Sequence, residues 1–175
     1  MAVTSAVSQQ LDEIIELLTT SDVTALADLS ATNVFKSLRD ISVETFAGTY
    51  VQLWYAGGSP DRERGDSTGG GYIIHSWRLG ISVRFFLATD QFKQYVKQAE
   101  GLTEMVTAIL NLLHLNYDLG SDLWAQPPIW DGTEQADVSK QTTGSSSYVY
   151  EANQRIYFKM LAVDPYDNYK QDGGE

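Results

Sequence analysis

Cysteine is absent from the 175 residues. A disulfide framework, a thiolate nucleophile and every cysteine-based zinc set are thereby excluded, and the composition suits a reducing compartment. Histidine occurs only as His75 and His114, too few for a histidine zinc site and a thin supply of general bases. Basic residues are scarce: 12 Lys and Arg face 23 Asp and Glu, for a net charge of -11 and a pI near 4.5. A broad surface that grips nucleic-acid phosphates is excluded, because such binding is driven by cations that displace counterions. Long apolar runs are also missing. The opening stretch MAVTSAVSQQLDEIIELL has no basic leader region, and Gln, Asp and Glu interrupt its apolar residues, so neither a signal peptide nor a membrane span is expected and the protein should be soluble where it is made.

What is present is a 43% hydrophobic chain long enough for one core, with no composition shift that divides it. One domain over 1–175 is expected. Its most conspicuous stretch is GYIIHSWRLGISVRFFLATD. Every second residue is apolar at Trp77, Leu79, Ile81, Val83 and Phe85, with Ser76, Arg78, Gly80, Ser82 and Arg84 between them, which is strand periodicity. A strand over 72–87 far exceeds the usual 5 to 6 residues or so, and Gly80 is the expected bend or bulge. The final element, 148–163, alternates the same way. Ala152, Ile156, Phe158, Met160 and Ala162 fall on one face, and Glu151, Asn153, Arg155 and Lys159 on the other.

Two helices are expected beside these strands. Val7, Leu11, Ile14, Ile15 and Leu18 recur at helical spacing, with Asp12, Glu13 and Glu16 outward and placed to suit the dipole of the helix N-terminus. A second, longer stripe runs from Phe92 through Leu102, Val106 and Ile109 to Leu113, with Thr89 or Asp90 as its cap, Gly101 as a weak point and Gly120 beyond its end. Residues 21–38 suggest a loop followed by a strand at NVFKSLRDI, SVETFAG a turn-and-helix patch, and TYVQLWYAG a core strand. The Gly-, Ser- and charge-rich residues 58–71 are expected to be a flexible loop joining two hairpin strands, 121–147 a long insert loop, and 164–175 a frayed acidic tail. The fold class is therefore α+β: a single domain with a mainly antiparallel sheet, long hairpin strands and two amphipathic helices packed on one face.

The chemical motifs do not hold up in context. Gly65-Asp66-Ser67-Thr68-Gly69 matches the G-x-S-x-G of a serine-hydrolase elbow, but no strand precedes it and no helix follows, so a hydrolase using Ser67 is a distant alternative. Gly69, Gly70 and Gly71 lack the Lys-Ser or Lys-Thr of a phosphate loop, and the acidic tail lacks the spacing of a calcium loop. No catalytic residue, metal ligand or cofactor is expected.

The order of elements, carried by NVFKSLRDI, TYVQLWYAG, SWRLGISVRFF, the helix over 92–115 and YVYEANQRIYFKMLAV, resembles the tail terminator (tail completion) proteins of long-tailed bacteriophages across nearly the whole chain. The resemblance implies a non-enzymatic virion protein that assembles into a ring, usually hexameric, on the head-proximal end of the tail tube. Such a ring stops tube and sheath growth and offers the surface that joins the head. The implied partners are further copies of the chain, the tube protein, the sheath protein and the head-neck connector; DNA passes through the ring without sequence-specific binding, and no membrane is involved. A neck or head-completion protein of the same kind of virion is the alternative.

Charge segregation suggests where such a ring closes. Arg78, Arg84, Arg155 and Lys159 gather on the polar face of the long strands, and Asp12, Glu13 and Glu16 on the first helix. A head-to-tail ring needs two complementary patches on each copy, and these would serve, although a solvated sheet face carries the same pattern. Trp124, Ile129 and Trp130 in the insert are the expected anchors of a docking loop that orders against a neighbour.

Overall fold

Alternation on two neighbouring long strands has one economical outcome, which is to pair them with each other so that both apolar faces point the same way. The computed structural model describes residues 6–36, 48–63, 72–88, 92–115, 128–134, 137–143 and 147–165. In chain order the elements are α1 (Ala6–Thr20), a short 3-10 turn (Thr24–Leu26), β1 (Val34–Phe35), β2 (Gly48–Glu63), β3 (Tyr72–Ala88), α2 (Phe92–Leu115), β4 (Ile129–Thr133), β5 (Asp137–Thr143) and β6 (Ser147–Pro165). They form a single α+β domain around a six-stranded sheet of order β1-β2-β3-β6-β4, with β5 also on β6. Only the β1–β2 pair is parallel.

β3 and β6 pair antiparallel over all 17 residues of β3 without a break. At roughly 3.3 Å per residue this is a ribbon about 55 Å long. The over-long strands are thus matched inside the chain. Their common inner face carries Leu79, Ile81 and Val83 from β3 and Ile156, Phe158 and Met160 from β6, all essentially inaccessible to water, beside Val51 and Leu53 of β2. The helices close this face. Leu11, Ile14 and Leu18 of α1 and Leu102, Val106, Ile109 and Leu113 of α2 belong to the same buried cluster, as their helical spacing requires. Burial of this kind, about 25 cal/mol per Å² of apolar surface, is what holds the helices on the sheet.

One polar side chain sits on the buried stripe of α1. Gln10 is fully buried; its Oε1 accepts a hydrogen bond from Trp77 Nε1 at 2.9 Å, and its Nε2 donates to the Leu161 carbonyl at 2.8 Å. Both ends of the amide are satisfied, so the residue ties α1 to β3 and β6 at once and sets the rotation of the helix. The acidic residues of α1 begin after its first turn, which holds none, so they do not serve the N-terminal dipole as the sequence suggested.

Several expectations change. Residues 58–63 are not loop but the second half of β2, paired from Gly58↔Trp77 to Glu63↔Tyr72; 64–71 lie outside the described residues. The insert 121–147 contains β4 and β5, and 121–127 lie outside the described residues, as do Ser67, most of 164–175, Thr89, Asp90 and Gly120. The physical reason is the length of β6. Once β3 fills one of its edges, the other presents a row of unpaired backbone groups, and 129–133 and 137–143 pair with it despite weak alternation of their own. The bulge expected at Gly80 lies instead on β2, between Tyr55 and Gly58, where Gly57 holds a φ of 119° that favours glycine.

Gly101 keeps its expected place inside α2. It is exposed, and an added methyl group would meet open space. Gly101→Ala is therefore expected to stabilise the protein by about 0.5–1 kcal/mol, by removing backbone freedom from the unfolded chain. Urea unfolding checks it: a lowered midpoint would mean that the helix is not regular there.

Candidate functional site

Both helices lie on the inner face; on the outer face Tyr50, Gln52, Ser82 and Phe86 are also buried, while the side chains of Arg78, Arg155 and Lys159 remain partly in solvent. The even-numbered residues of β3, those of β2 up to its bulge, and the odd-numbered residues of β6 line it, following the register Trp54↔Gly80↔Tyr157 and Arg78↔Lys159. At its centre stands Tyr157, nearly buried although it lies on the helix-free side. Trp54 packs edge-on against its ring with centroids 6.1 Å apart, and the Arg78 guanidinium carbon lies 4.0 Å over the ring centroid. Gly80 makes the arrangement fit, since the Trp54 ring occupies the space a Cβ would need.

β4 adds the charges. A bulge between Trp130 and Gly132, with Gly132 at a φ of 130°, leaves Asp131 without a partner across the ladder and turns its side chain onto this face. Asp131 Oδ2 lies 2.8 Å from Arg78 Nε, a close charge contact whose angle is not that of a hydrogen bond, and Asp131 Oδ1 lies 3.2 Å from Lys159 Nζ. Glu134 accepts a 2.7 Å hydrogen bond from the Tyr157 hydroxyl and lies 3.7 Å from Arg155, while its own N–H donates to the Arg155 carbonyl at 2.9 Å. The hydrogen bond from Lys159, helped by the charges of Lys159 and Arg78, holds the Asp131 carboxyl below its ordinary pKa against a partial loss of solvent. Burial, reinforced by Glu134, raises the Tyr157 hydroxyl above its ordinary value. The cluster thus favours an ionised Asp131 and a neutral phenol, and among the described residues it holds no nucleophile beside a base. What it does chemically is bind charge and present flat aromatic surface.

The structure brings Arg78, Arg155 and Lys159 together as the sequence suggested. Each is matched by a carboxylate of the same chain that sequence reasoning did not single out. Arg84 lies further along β3, 5.0 Å over the Phe86 ring, where Phe86, Tyr50 and Phe35 form a small second cluster on this face. On α1, Asp12 is paired with Lys36 at 2.7 Å, Glu16 is exposed and Glu13 is half-buried. Of the proposed anchors, Ile129 and Trp130 are 49% and 52% exposed on an ordered strand, and Trp124 lies outside the described residues. Tyr157 was legible by parity, being flanked by Arg155 and Lys159. Asp131 and Glu134 carried no local signal.

Among the described residues no cluster of His, Asp and Glu has the make-up of a metal site, and no helix is long and apolar enough to cross a membrane. A hollow of about 490 Å³ lies between Val23 and the α2 residues Ala108, Leu112 and Leu115 and carries no acid–base pair.

No known family model matches the chain, and no curated protein matches it. Among solved structures, a chain of the "Virion of native gene transfer agent (GTA) particle" aligns with 83% of this chain and 91% of its own length, at 14% identity and a TM-score of 0.32. A likeness that distant carries no argument about function.

Proposed function

We propose that the protein is a ring-forming structural component of a phage-like virion, acting as a tail terminator. The observation that supports this reading is the outer face: a sheet about 55 Å long in its central strands, packed on one side by two helices and on the other presenting, among the described residues, an ordered patch of partly exposed cations and aromatic rings. A surface of that kind serves assembly. In the proposed ring the outer face of one copy, with Arg78, Arg84, Arg155 and Lys159, meets the acidic side of α1, with Asp12, Glu13 and Glu16, of the next. Two different patches on each copy give a head-to-tail contact that closes on itself, six copies being the number implied by the resemblance in element order. The tube, sheath and connector proteins are the proposed neighbours of the finished ring.

Electron microscopy of the purified protein tests the class directly, with rings enclosing a central hole as the expected result. Sedimentation tests the seam. Arg84→Glu with Arg155→Glu should leave the subunit folded and reduce association at low salt, and Glu13→Lys with Glu16→Lys should restore part of it. A parent protein that stays monomeric at every salt and protein concentration would remove the ring reading.

A further inference from the structure

The ring reading leaves one feature of the outer face unexplained: three of its four cations are already engaged by the chain's own β4 segment. Resting on that reading, we propose that β4 is an intramolecular strap, whose Asp131 and Glu134 occupy the cations that the acidic helix of a second copy takes up on assembly.

The chemistry on the two sides of this exchange is the same. Asp131 on β4 and Glu134 just beyond it hold Arg78, Lys159 and Arg155, and α1 presents Asp12 and Glu16 to solvent, Asp12 being 59% exposed and paired with Lys36. Replacing one set by the other conserves charge pairing, so the exchange has no large electrostatic barrier. The pairs are also of the kind that exchange readily. Arg78, Arg155, Lys159 and Glu134 keep 43%, 45%, 68% and 52% of their side chains in solvent, and although Asp131 keeps 21%, ion pairs with such exposed partners are weak.

β4 itself is lightly held. It has five residues, meets β6 at four positions with a bulge among them, and contributes two large apolar side chains, Ile129 and Trp130, that remain about half exposed. An element with so little buried surface lies at the low end of local stability. The same bulge that weakens the ladder is what aims Asp131 at the cations. A strap of this design keeps single subunits from associating through the outer face until a high local concentration of copies, such as a tube end provides, competes it away.

The test uses the full chain at low salt, followed by sedimentation, with amide hydrogen exchange of β3 and β6 as the check on folding. Glu134→Gln keeps an acceptor for the Tyr157 hydroxyl and removes one ion pair; association is expected to tighten by about fivefold, the equivalent of one exposed pair. Asp131→Asn combined with Glu134→Gln should tighten it further, and if that double variant does not fold, Glu134→Gln alone decides. In the parent, the Glu134 amide should exchange faster in the associated state than in the subunit. Equal or weaker association of a folded Glu134→Gln variant, or a Glu134 amide more protected after assembly, overturns the strap while leaving the ring intact. Absence of association in parent and variants alike overturns the ring reading and the strap with it.

Discussion

Phe158→Ala is expected to lower the free energy of unfolding by about 3–5 kcal/mol, a large share of the roughly 5–15 kcal/mol that a domain of this kind possesses. Phe158 is fully buried at the middle of β6, opposite Leu79 of β3 and Trp130 of β4, with the His114 ring edge-on at 6.1 Å. Truncation removes the transfer energy of the ring and leaves a cavity whose walls come from a sheet on one side and a helix on the other, so the space cannot readily close. Trp130→Ala is the internal control. Although Trp130 is the larger ring and faces Phe158 in the ladder, it is 52% exposed and its Nε1 donates only to the neighbouring Thr133 hydroxyl at 3.2 Å. Its removal should cost far less in the subunit. Urea unfolding of both variants checks the pair, and similar losses would mean that the inner face has been assigned wrongly.

The second large effect is expected at Gly80. In most strand interiors a change from glycine to alanine helps, because it reduces the freedom of the unfolded chain and adds a packing group. Here the new Cβ would stand 2.4 Å from Cε2 and Cζ2 of Trp54, closer than two carbons can approach. Nor can the indole step aside freely, since it is set edge-on against Tyr157, which in turn lies under Arg78. Gly80→Ala should therefore cost about 1–3 kcal/mol as overpacking strain. In a Trp54→Ala background the same substitution should be neutral or stabilising. The four proteins make a double-mutant cycle with a coupling of about 1–3 kcal/mol. Effects that add without coupling would show that the ring does not rest on Gly80.

These two sites also divide what was legible in the residues from what was not. The inner placement of Trp77, Leu79, Ile81, Val83 and Phe158 followed from period-two alternation, because successive strand side chains point to opposite faces and the apolar parity is the one the helices cover. The helices followed from the spacing of Leu11, Ile14 and Leu18 and of Leu102, Val106, Ile109 and Leu113 for the same geometric reason. Periodicity is local, and it needs no knowledge of partners.

Gly80 shows where local information ends. A glycine in a strand signals either a bulge or a close approach, and only the arrival of Trp54 from β2 decided for the second. Segments 58–63 and 129–143 looked like loops because their Gly, Pro and charged residues carry no alternation. Residues 58–63, 129–133 and 137–143 became strands because β3 and β6, paired along all of β3, left long backbone edges whose hydrogen-bonding groups needed partners. The ion pairs of the outer face belong to the same class. By itself the sequence determined one acidic α+β domain with two helices, two long strands and a cationic stripe; tertiary structure alone decided that Asp131 and Glu134 would close over that stripe, because the register of β4 on β6, with its single bulged residue, places carboxylates beside cations more than twenty residues away in the chain.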